Sequence, residues 1–172
     1  MASVNHKEPD RVARDMGATP SSGISALAYN DLVSHLGLDV GPAMVYDVVQ
    51  QLAQPHIPVL DKFHIDVVDI GCAFNETPEH WTLSDLYPNS PILIPSWFHP
   101  VKESDGSHSV FHNDIKIATK PKTATFFDGT YVPYRHGIPQ DLSDLDYQMD
   151  MILWQNMVHA PWDHANEPDF WE

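Results

Sequence analysis

The run Ile65-Asp66-Val67-Val68-Asp69-Ile70-Gly71 constrains the fold more than any other stretch of this chain. It is short, rich in β-branched residues and closed by glycine, as a buried strand of a parallel sheet should be. A parallel strand needs a long crossover to reach its neighbour, and the usual crossover is a helix. The preceding sequence supplies the parts. An extended segment, 11–17, ends at Gly17. Ser21, Ser22 and Gly23 offer N-cap chemistry for a helix beginning at Ile24. Ile24, Leu27, Ala28, Leu32 and Leu36 then share one helical face, and Gly37 is placed to end it. Met44, Val48, Val49 and Leu52 predict a second helix from Ala43 to Ala53, with Pro55 beyond it. A turn of helix from Val59 to Phe63 leads into the strand.

The middle of the chain, about 75–140, has a different character. It is rich in proline and carries the turn signals Asp105-Gly106 and Asp128-Gly129. Strand-like runs, Ser109-Val110-Phe111 and Ile115-Lys116-Ile117-Ala118, lie between them, which predicts a β-hairpin excursion. Leu142 to Met149 reads as helix, and Ile152 to His159 as another buried strand aimed at Pro161-Trp162. Glu167-Pro168-Asp169 then looks like a helix start. Strands alternating with helices predict an α/β fold on a parallel sheet, and three such strands close nothing by themselves.

At 172 residues the chain is expected to form one domain behind a disordered polar lead-in, 1–10. Nine Lys and Arg oppose twenty-four Asp and Glu, a net charge of −15. Nucleic acid and anionic membrane both call for a basic surface, so neither is an expected partner. A single cysteine, Cys72, leaves no disulfide framework and no thiolate zinc site within the chain. With no segment that reads as a signal peptide or membrane span, the expected location is a reducing cytoplasm.

Five segments taken in order resemble the uroporphyrinogen decarboxylase superfamily, and most of all its branch of decarboxylase-like and corrinoid-linked methyltransferase proteins. They are GISALAYNDLVSHLGL, VYDVVQQLAQP, FHIDVVDIG, TFFDGTYVP and VHAPWDHANEPDFW, and together they span nearly the whole chain from Arg11. The family fold is a (β/α)8 TIM barrel of ~250 residues or more. The resemblance therefore implies the first three strands of a partial TIM barrel, completed by a second polypeptide, with Phe170 and Trp171 opening the third barrel helix. Decarboxylases of the family carry an arginine-rich stretch after the first strand. Here RDMGATPSSG has no arginine beyond Arg14, and the position of the family's pyrrole-binding aspartate falls near Ala73. The resemblance then implies C1 transfer, in which a methyl group passes from a small methylated substrate to a corrinoid protein. Zinc and a corrinoid would be reached through partner chains.

Active sites of such barrels lie at the C-terminal ends of the strands. That rule directs attention to Asp15, Asp69, His159, Asp163 and His164 as candidate catalytic groups. Met16, Gly17 and Trp162 sit beside them as candidate substrate contacts, and Trp97, His99 and Tyr131 are placed in the excursion as a lid over an apolar or aromatic substrate. His35, His56, His64 and His80 fall away from that face. Three alternatives stand beside C1 transfer: decarboxylation, a non-catalytic structural subunit, and a self-sufficient small binding domain.

Overall fold

A computed structural model of the chain describes residues 2–69, 77–135, 137–138 and 140–156. The described residues form a mixed α/β fold with two sheets and three α-helices, and no closed barrel. The lead-in is largely exposed and carries a 3-10 turn at Ser3–Asn5.

The first sheet holds β1 (Ile24–Ser25), β2 (Ala43–Asp47), β3 (Leu52–Gln54), β4 (Trp81–Ser84) and β5 (Ile92–Pro95), in the order β1-β3-β2-β5-β4. Its pairings are antiparallel except β2 with β5. The second holds β6 (Val101–Lys102), β7 (His108–His112), β8 (Ile115–Lys120) and β9 (Asp128–Gly129), all antiparallel. The expected hairpin is β7–β8, which turns through Asn113 and Asp114, both at positive φ. Asn and Asp are the residues that tolerate that conformation, and such turns match the twist of paired strands.

Helix α1 (Ala26–Leu36) starts two residues later than expected. Ser25, not Ser21 or Ser22, is its N-cap and accepts from the Ala28 N–H, while Gly37 ends it in the left-handed conformation. Its buried stripe is Ala26, Tyr29 and Val33, so the leucine face is not the one that meets the sheet. Tyr29 is fully buried, and its hydroxyl accepts from the His56 backbone N–H and shares a 2.8 Å bond with Nδ1 of the same histidine. This knot fixes α1 against the start of α2 (Ile57–Phe63), the helical turn expected before residue 65.

Two further expectations are corrected. Residues 43–53 are not a helix but the β2–β3 hairpin. Asp47 accepts from the Gln50 backbone N–H and side-chain amide, and Gln51 adopts a positive φ. A short buried apolar run fits helix and strand periodicity alike, and the valines and Tyr46 favour the strand. Near the end, Ile152–Asn156 continue a single helix, α3 (Leu142–Asn156), in place of a strand. No glycine or proline interrupts that run, and Asp141 caps it by accepting from the Asp144 N–H. The remainder of the expected strand, from 157, lies outside the described residues.

One apolar core joins the parts. Tyr29, Val45, Val59 and Ile92 from the first sheet and its helices continue into Phe98, Phe127, Ile117 and Met151 from the second. Phe98 and Phe127 meet edge to face at 5.4 Å, and the Phe127 N–H donates to the Val49 carbonyl.

Candidate functional site

The expectations of an extended segment at 11–17 and a buried strand at 65–71 are corrected: in the described residues neither forms a strand, and the two segments meet through a single parallel bridge, between Asp15 and Val67. The bridge sets the segment that carries Asp15 beside the segment that carries Asp69. Val67 and Val68 are exposed rather than buried, as is Val12 on the facing segment.

An ion-pair clasp holds the two segments in register. Arg11 grips Asp66 with both guanidinium nitrogens, at 2.6 and 2.9 Å, and the Arg14 N–H donates to the same carboxylate at 2.9 Å. Arg14 Nη1 donates to the Phe63 carbonyl, and the Asp66 N–H donates to the Arg14 carbonyl. Fork-on-carboxylate geometry is the orienting form of an arginine pair. It holds Asp66 below its ordinary value of 3.8, first through the Arg11 hydrogen bond and then through the Arg14 N–H. A depressed carboxylate stabilises the fold above its unfolded pKa and loses that contribution as pH falls through the folded one. The clasp is therefore expected to be intact at pH 5 and to open only below 3.8. A carbon-detected NMR titration of Asp66 checks this, and a midpoint at or above the ordinary value would mean that the clasp does not form in solution.

Beyond the bridge, Asp15 is exposed and its Oδ1 accepts from the Ala18 N–H at 2.9 Å. Met16 packs against the core. Gly17 is buried at φ 83°, where a Cβ would stand 3.0 Å from Pro55 Cδ, so glycine is required for both conformation and space. Asp69 is half-buried.

The excursion residues lie elsewhere. Trp97 packs edge-on against Phe98 and the core. His99 is exposed and lines a cleft of about 260 Å³ between the two sheets. Tyr131 borders a separate cleft of about 610 Å³, formed with β8 and α3, and its hydroxyl donates to Gln148 Oε1 at 2.6 Å. These three do not meet as one lid. His159, Trp162, Asp163 and His164 lie outside the described residues.

Among the described residues no three His, Cys, Asp or Glu side chains are grouped to hold a metal ion, and no helix is long and apolar enough to cross a membrane. The sequence reading missed two pairs that depend on distant partners: the Arg11–Asp66 clasp and a 2.6 Å contact between His112 Nε2 and Asp150 Oδ2. The second ties the end of β7 to α3, and no local spacing announces it. No family model, curated protein or solved structure matches the chain.

Proposed function

We propose that this chain is the N-terminal part of a uroporphyrinogen decarboxylase-like enzyme, a partial (β/α)8 barrel whose other strands come from a second polypeptide. The observation that carries the reading is the parallel bridge of Asp15 with Val67, which sets the two segments ending in candidate carboxylates side by side. The exposed Val12, Val67 and Val68 support it, since apolar side chains grouped in solvent favour a covering partner. The site belongs at the ends of those strands, where Asp15 and Asp69 orient the substrate and hold or deliver a proton.

The reaction proposed is transfer of a methyl group from a small methylated substrate to a corrinoid protein. The corrinoid supplies the methyl acceptor, and zinc, where used, takes its ligands from the partner chain. Residues of this chain bind the substrate, orient its heteroatom and keep water from it. The test is turnover of a panel of O-, N- and S-methyl compounds by the chain alone, by its partner alone, and by the two together with the corrinoid protein. Demethylation confined to the full mixture is expected. Turnover by the partner and corrinoid protein without this chain would contradict the proposal.

A further inference from the structure

The cleft between the two sheets has a chemistry of its own. Strand β4 contributes Ser84, with Asp85 beside it, β6 contributes Lys102, β7 contributes His108, and His99 lies on the approach to β6. His108 is only 7 % exposed, and its Nδ1 is enclosed with no hydrogen-bond partner. Buried ring nitrogens are normally paired, and an orphan in a cleft wall points to a group that the cleft receives. The charges facing this ring are Lys102 and Lys120, opposed by Asp85. Lys120 itself is buried, with its ammonium 4.9 Å from the centre of the Tyr87 ring. Burial and the two lysines hold His108 below its ordinary histidine value, so the ring is neutral at pH 7 and able to offer an N–H.

On a chain of net charge −15, His108 stands between two lysines, its strand partners Lys102 and Lys120, against one aspartate. Two ammonium groups near the ring repel a metal cation and attract an oxyanion. A volume of about 260 Å³ suits a ligand of a few heavy atoms with its waters, below the ~300–1,000 Å³ typical of sites for larger ligands. We propose that this cleft binds a small carboxylate, with Lys102 as the charge partner, His108 as the buried donor and the Ser84 hydroxyl as a second donor. None of Asp15, Met16, Gly17 and Asp69 lines it, so the site stands or falls independently of the barrel reading.

The experiment is a malonate titration of the full chain at constant ionic strength, read from the ring resonances of His108 by NMR. A saturable shift is expected, absent with chloride, and Lys102→Gln should weaken it at least tenfold. His108→Leu should abolish binding as read by calorimetry. Should that variant fail to fold, Lys102→Gln decides alone, because Lys102 is exposed on the edge strand β6 and its loss leaves the core untouched. A linear drift with malonate, or saturation undiminished in Lys102→Gln, overturns the proposal.

Discussion

Tyr29→Ala is expected to cost about 3–5 kcal/mol, the loss typical of a large aromatic removed from a packed core. That is a large part of the ~5–15 kcal/mol that usually holds a domain together, so the variant should be largely unfolded near physiological temperature. Two effects add. The ring is fully buried among α1, α2 and the first sheet, so its removal leaves a cavity. The hydroxyl also satisfies the His56 backbone N–H and Nδ1, and an unsatisfied buried donor costs about 1–3 kcal/mol. Tyr29→Phe separates the two, since it keeps the packing and loses only the knot. Chemical denaturation of both variants checks the partition. A Tyr29→Ala loss near that of Tyr29→Phe would mean that the ring packs far less tightly than its burial indicates.

The second large effect concerns Asp15. On the proposed function, Asp15→Asn is expected to lower kcat/KM of the proposed complex by about 10²–10⁴-fold, the range for losing a positioned proton-transfer group. Its thermal midpoint should stay where it was, because an asparagine Oδ1 can still accept from the Ala18 N–H and keep the turn. The split between activity and stability is the informative part. The demethylation assay and a melting curve on the same preparation measure it. Activity within about twofold of the parent would reduce Asp15 to a turn cap and favour a scaffolding role for the chain.

Sequence periodicity located some elements and missed others for identifiable reasons. Gly37, the helical turn before residue 65 and the β7–β8 hairpin were legible because each is fixed by a few adjacent residues with strong conformational demands. Residues 43–53 were not, because Met44, Val48 and Leu52 satisfy a helical face as well as a buried hairpin, and only pairing with β5 and β1 selects the strand. The segment 142–156 failed in the opposite sense: its apolar end resembles a strand, yet uninterrupted helix formers carry α3 through it. The bridge of Asp15 to Val67 joins the two segments that were expected to run parallel. His108 was invisible beforehand, since its burial and its lysine neighbours come from the register of three strands rather than from any spacing along the chain.

Native mass spectrometry of the protein purified from its source tests the central claim most directly. A complex in which this 19.4 kDa chain is joined stoichiometrically to a second polypeptide of half-barrel size or larger is the predicted result. A stable, well-folded monomer of 19.4 kDa with no second chain at any concentration would contradict it.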